Sequence, residues 1–104
     1  MDSRGRRLDE LAEAVSSAPG VLPRSVRRAL AGGGRISGEL GELADLVAAG
    51  GAGVTDGLIR RLLVSGYSED VVFECVVAAA VGAGTQRLRA VERLLVTCRQ
   101  GCPR

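Results

Sequence analysis

Residues 68–95 read SEDVVFECVVAAAVGAGTQRLRAVERLL, and this stretch decides the fold. Ser68 can cap a helix with its side-chain oxygen, and the two acids that follow it lie at the positive end of the helix dipole. Over the next fourteen or so residues the only charged side chain is Glu74, so we expect burial on several sides. The sequence predicts a long, buried C-terminal helix on which the rest of the chain packs.

Two shorter helices are predicted in the first third of the chain from apolar residues at helical spacing and from Pro and Gly breaks. The first has one apolar face, formed by Leu8, Leu11, Ala12 and Val15. The second takes Pro23 into its first turn and has an outer face formed by Arg24, Arg27 and Arg28. A phosphate-binding role for these arginines is the alternative to a solvated face.

Two further helices are predicted between residues 36 and 66. The third helix contains Gly38 and Gly41, each of which costs about 1 kcal/mol relative to Ala, so we expect it to be the least stable. The fourth begins after Thr55, whose side chain can cap it, and ends at Gly66 in a left-handed conformation.

The chain of 104 residues is long enough for one core and too short for two. We expect a single helical domain, 1–104, with a flexible basic arm at 1–7 and a flexible tail at 98–104. No segment alternates as a strand does. The predicted fold is therefore all-α, a small bundle of about five helices.

Composition argues against several classes of function. Aromatic residues make up 2% of the chain and the net charge is only +2, which argues against a nucleic-acid partner. The apolar run is shorter than the roughly 20 residues that a bilayer requires, so we expect no membrane span. Residues 1–7 are charged and do not resemble a secretion signal, which predicts a cytoplasmic protein.

Charge is segregated along the chain. Residues 1–35 carry seven Arg and four acids, whereas residues 36–59 carry four acids and no Arg. These segments are expected to pair, either within one chain or between subunits.

The C-terminal helix also carries the predicted interface. Small residues four apart allow a second helix to approach closely, and the apolar spacing continues beyond them. The candidate interface residues are Val76, Ala78, Ala80, Gly82, Gly84, Leu88, Val91 and Leu95. We expect a homo-oligomer, with a dimer as its simplest form.

Several motifs in residues 54–95 carry a family resemblance. These are Thr55-Asp56, the segment GYSED at 66–70, the alanines at 78–80, and Arg87-Leu88. This part of the chain resembles the C-terminal part of the alkylhydroperoxidase D-like, or carboxymuconolactone decarboxylase-like, superfamily. The resemblance implies a helical fold and a tendency to form oligomers.

The chain departs from that superfamily at the catalytic motif. Redox-active members use Cys-x-x-Cys with a nearby His and an upstream Glu, whereas this chain has no His and no Cys-x-x-Cys. The resemblance thus implies a degenerate member with no catalytic residue and no cofactor. We expect a non-catalytic association module that acts as a homo-oligomer or as an accessory subunit of a partner enzyme.

Cysteines give the alternative function. Cys98 and Cys102 are four residues apart, and as a redox pair they would make the protein a thiol-dependent peroxidase or reductase. Cys75 is expected to be a small core residue. Three Cys and no His leave a tetrahedral metal site short of ligands, so no metal is expected. Glu74 either has a raised pKa at a functional site or pairs with an arginine.

Overall fold

The computed structural model describes residues 3–17 and 20–101, with the side chains of 6, 7 and 9–14 in the first helix. These residues form five α-helices and no strand, which confirms the predicted all-α class. The helices are α1 (Ser3–Ser17), α2 (Arg24–Ala31), α3 (Gly38–Ala48), α4 (Asp56–Val64) and α5 (Glu69–Arg99).

The longest helix, α5, is the element on which α1, α2 and α3 pack. Asp9 of α1 contacts Arg89 of α5, while the loop after α1 contacts Glu74, so α1 runs antiparallel to α5. The core forms where α2, α3, α4 and the first half of α5 meet, and its largest members are Leu22, Leu30, Leu40, Leu43, Leu58, Leu62 and Val72.

Both predicted side-chain caps are present. The Thr55 hydroxyl oxygen accepts a hydrogen bond from the Leu58 amide at 3.2 Å, and the Ser68 hydroxyl accepts one from the Val71 amide at 3.2 Å. Each cap satisfies one of the amides that the first turn of a helix leaves without an intrahelical partner.

Glycines end α2, α3 and α4 in the same way. Gly33, Gly50 and Gly66 have φ angles of 85°, 116° and 105°, a region that L side chains rarely adopt. Their amides and the following amides bond back to the last turn, as in Gly66 to Leu63 and Tyr67 to Leu62. This pairing is the Schellman motif, and it confirms the left-handed position predicted for Gly66.

Several predicted boundaries differ from the structure. Helix α1 begins at Ser3, inside the segment predicted to be an arm, and α5 continues to Arg99. Pro23 precedes α2 as its N-cap residue, one position earlier than predicted. In the predicted α1 face, Leu11 is about half exposed, and the side chains of Leu8 and Val15 lie outside the described part of the chain.

Burial of α5 on several sides was predicted, and this prediction is wrong. Its buried residues are Val72, Cys75, Ala78, Ala79, Gly82 and Thr85. At 100° per residue they fall on one side of the helix. Beyond Thr85 the described side chains are half-buried or exposed, because α2 and α3 end near the level of Gln86 and Arg87, although α1 still contacts Arg89.

The contact between α2 and α5 depends on Gly82. A Cβ atom at this position would collide with the carbonyl oxygen of Leu30 and would lie 3.0 Å from the amide nitrogen of Gly33. The end of α2 therefore packs directly on the backbone of α5. Gly41 of α3 is similarly constrained, because a Cβ there would collide with the carbonyl oxygen of Ile36.

Glu74 holds the other end of α2. Its carboxylate accepts hydrogen bonds from the amides of Val21 and Leu22, both at 2.9 Å. These two bonds, in that order, lower the pKa of the Glu74 carboxyl, and the positive charge of Arg27 lowers it further. Of the two alternatives for Glu74, the raised pKa is wrong, because backbone donors surround a carboxylate that is only partly buried. The arginine alternative is met only through the charge of Arg27, which acts less strongly than the two amides.

Arg27 does not lie on the outer face of α2, in contrast to the prediction. Its side chain is buried, and its Nε donates to the carbonyl oxygen of Leu22 at 3.1 Å. Arg24 and Arg28 are exposed as predicted. The loop before α2 is thus held by a carboxylate on one side and a guanidinium on the other.

Acidic residues of α3 pair within the chain. Asp45 lies 3.5 Å from Arg35, and Glu42 lies 2.9 Å from Arg61 of α4. These exposed pairs each contribute little stability, about 0–1 kcal/mol. Only the pair of Arg35 with Asp45 joins the basic segment 1–35 to the acidic segment 36–59, since Arg61 lies outside both.

We predict that Gly82→Ala destabilises the fold by about 2–3 kcal/mol, because the added Cβ forces the α2 backbone away from α5. Gly57→Ala is the matched control, since a Cβ at Gly57 makes only an ordinary contact of 3.8 Å in α4. The control should be neutral or slightly stabilising. Urea denaturation of both variants at one protein concentration measures the difference, and equal stabilities would contradict the prediction.

We predict that Glu74→Gln lowers stability by about 1 kcal/mol at pH 7, an estimate reduced for solvent screening. Because the folded pKa is depressed, the Glu74 contribution is complete above 4.5, the ordinary glutamate value, and is lost as the pH falls. The gap between wild type and variant should therefore close toward pH 3. Chemical denaturation across this pH range is the measurement, and a gap independent of pH would refute the role of the charge.

Candidate interaction surface

A second apolar surface lies on α5 opposite its core side. Counting 100° per residue, the residues on this side form one row along the helix. We call this row the outer stripe, and its members are Phe73, Val77, Ala80, Gly84, Leu88, Val91 and Leu95. The row contains no polar side chain along about six helical turns, or roughly 33 Å.

Much of the outer stripe is open to solvent. Phe73 is 68% exposed, Val91 50% and Leu95 41%, while Val77 and Leu88 are half-buried. A contiguous apolar surface of this kind marks a site of association more often than an isolated exposed leucine does.

The structure separates the predicted interface residues into two groups. Ala80, Gly84, Leu88, Val91 and Leu95 lie on the outer stripe, and Val76 lies at its edge. Ala78 and Gly82 belong instead to the chain's own core, where they contact neighbouring helices and are not available to a second chain.

Sequence reasoning missed Phe73 and Val77 as members of this surface. Both continue the spacing of three and four residues toward the start of α5, which is the signal that identifies them. The sequence around these two residues is apolar on every side of the helix, and it therefore predicts that both are buried in the core.

An open groove adjoins the outer stripe near the start of α5. It has a volume of about 520 Å³ and lies between α4 and α5, with Ile59, Leu63, Phe73 and Val76 in its lining. The acids Glu69 and Asp70 border it. The groove extends the apolar surface sideways onto α4, where Leu63 is 38% exposed.

Helix α5 also meets a simple test for a membrane span. An 18-residue window within Glu69–Arg99 has a mean hydropathy of 1.4, and 33% of this window is buried in the fold. Core helices of soluble proteins pass the same test, so length and composition here are weak evidence for a bilayer.

The cysteines do not form a described site. Cys75 is buried, its thiol donates to the carbonyl oxygen of Leu40 at 3.6 Å, and burial raises its pKa to about 11. A thiol with so high a pKa is a poor nucleophile at neutral pH. Cys98 is exposed on α5, whereas Cys102 lies outside the described residues, so their proposed redox pairing stays a prediction.

In the described part of the chain, no group of three or more His, Cys, Asp or Glu side chains comes together as a metal site would require. Of the three arginines of α2, Arg24 and Arg28 are exposed, whereas Arg27 is buried and not available to a phosphate ligand.

Comparisons with known proteins add no family to these observations. No family model matches the sequence, and no curated protein and no solved structure matches the chain. The resemblance of residues 54–95 to the alkylhydroperoxidase D-like superfamily therefore stays a prediction, and the outer stripe of α5 is the surface from which function has to be argued.

Proposed function

We propose that the protein is a non-catalytic helical module that acts by association, either as a homo-oligomer or as an accessory subunit of a partner enzyme. The observation that carries this proposal is the outer stripe, an apolar surface six turns long on the side of α5 that the fold leaves open. Association would remove this surface from water, which is the main favourable term in most protein assembly.

Helix α5 is apolar on two opposite sides. A helix in a monomeric protein normally has one apolar side toward the core and a polar side toward water. Here the core side is filled by α1, α2 and α3, yet the opposite side carries Phe73, Val91 and Leu95 instead of charged residues. A second apolar side is expected on a helix that is covered by another protein chain.

The chemistry of the chain supports a role without catalysis. The sequence contains no histidine, and the pKa of the buried Cys75 thiol is raised, so neither supplies a general base or an activated nucleophile at neutral pH. The proposal agrees with what the superfamily resemblance implies, a degenerate member that keeps the helical fold and the tendency to form oligomers.

We predict that Val91→Asp abolishes self-association and leaves the fold intact, because it places a charge in the middle of the outer stripe's C-terminal half. Val96→Asp is the matched control. Val96 lies on the same helix with a similar exposure, 46% against 50%, but faces the opposite side. Circular dichroism checks folding, and native mass spectrometry measures the oligomeric state.

Two outcomes would count against the proposal in its homo-oligomer form. One is a wild-type protein that is monomeric at micromolar concentration. The other is an oligomer that survives Val91→Asp as well as it survives Val96→Asp, since the outer stripe would then not be the contact.

A further inference from the structure

We propose that the outer stripe pairs with the same stripe of a second copy, with the two α5 helices antiparallel and their two-fold axis at Gly84. This inference rests on the proposed association function and names its partner and geometry. Four independent features of α5 point to this arrangement.

The spacing of the outer stripe is the first feature. Counting from Phe73 to Leu95, the steps are four, three and four residues up to Gly84, and then four, three and four again. The row therefore reads the same in both directions about Gly84. A two-fold antiparallel pair requires this property, because each residue before the axis meets one at an equal distance after it.

The sizes of the side chains are the second feature. Gly84 would face its own symmetry mate, and Ala80 would face Leu88 of the second copy, so each pair nearest the axis contains at least one small residue. Farther from the axis, where the helices diverge, Val77 would face a valine at 91 and Phe73 a leucine at 95, and both members of each pair fill space.

The glycine at the axis is the third feature. A Cβ atom at Gly84 would meet nothing within 4 Å among residues 3–17 and 20–101, so no contact within this part of the chain requires a glycine there. Glycine in a helix interior costs about 1 kcal/mol relative to Ala. Close approach of a second helix gives this glycine a physical role.

Charge complementarity is the fourth feature. Glu69 and Asp70 begin α5 and Arg99 ends it, each placed according to its own helix dipole. Asp70 and Arg99 lie on the same flank of the outer stripe and almost equally far from Gly84, so each would face the other in the antiparallel pair. A parallel pair would instead hold Asp70 and Arg99 at opposite ends of the contact, where they could not meet.

The groove between α4 and α5 gives the end of the partner helix a place to lie. In the antiparallel pair the C-terminal turns of one α5 approach Phe73 and the adjoining groove of the other copy. Leu94, which is 67% exposed, projects beside Leu95 in those turns. The protruding end of each helix would thus be covered by the folded half of its partner.

Cysteine cross-linking tests the arrangement directly. Phe73→Cys and Leu95→Cys are made separately in the full chain, with Cys98 and Cys102 replaced by serine and the buried Cys75 retained. After mixing, subunit exchange and treatment with a short bis-maleimide, which bridges thiols too far apart for a disulfide, we expect a covalent dimer only between the two different variants. In a dimer of one variant with itself, the two engineered cysteines would lie at opposite ends of the contact, roughly 33 Å apart along the helix. Each variant alone should therefore stay uncross-linked.

Charge reversal gives a second test that keeps the apolar contacts. We expect Arg99→Glu to raise the dissociation constant roughly tenfold, since two ion pairs become two repulsions, and Asp70→Arg in the same chain to restore it. Analytical ultracentrifugation measures both values, and circular dichroism confirms that each variant folds.

The outcomes separate this inference from the proposed function. If each variant cross-links with itself, the two α5 helices are parallel. If the protein is a native dimer that gives neither cross-link, the two copies associate through another surface. Both outcomes overturn the antiparallel arrangement and leave the proposed association standing. A wild-type monomer overturns both the arrangement and self-association. If that monomer floats with phospholipid vesicles, the outer stripe belongs to a lipid surface.

Discussion

The close approach of α2 to the backbone of α5 at Gly82 is the constraint on which the rest of the fold depends. Helix α2 has eight residues, too few to be stable by itself in water. It is held at both ends by α5, with Glu74 bound to the loop before it and Gly82 beneath its last turn. These two positions are eight residues apart, about 12 Å along α5, which matches the length of α2. Gln86 extends the contact by donating to the carbonyl oxygen of Gly33 at 3.2 Å.

The length of α5 determines what remains outside this core. Its 31 residues span about 46 Å, whereas the other helices have 8–15 residues and span about 12–22 Å. The molecule is accordingly elongated, with extents of 55 × 28 × 18 Å and a radius of gyration of 15.9 Å, against about 13 Å for a compact chain of this size. The four short helices pack along one side of α5, and α1 reaches Arg89 in its second half. They leave its opposite side and its last turns exposed, and those are the places where the sequence keeps apolar residues.

Local signals in the sequence predict the ends of the helices well. Thr55 and Ser68 cap through atoms three residues away, and Gly66 ends α4 through its own backbone conformation, so neighbouring residues contain all the required information. The partners of Glu74 and Arg27 are different. Glu74 binds amides more than fifty residues earlier, and the burial of Arg27 depends on how that same loop folds back. Spacing along the chain carries no information about such contacts.

The predicted interface illustrates the same limit. Ala78 with Gly82 and Ala80 with Gly84 are both small pairs four residues apart, so helical spacing cannot tell which pair packs within the chain. The structure makes the distinction, because a Cβ at Gly82 would strike α2 while a Cβ at Gly84 would meet open space. The conformational cost of glycine at 82 is offset by the helix that packs on it. At Gly84 no contact with the described residues offsets this cost, and the apolar residues on both sides of Gly84 are spaced symmetrically around it. Both glycines have the same physical explanation if each allows a helix to pack closely on α5. At Gly82 this helix is α2 of the same chain, and at Gly84 it would be α5 of a second copy.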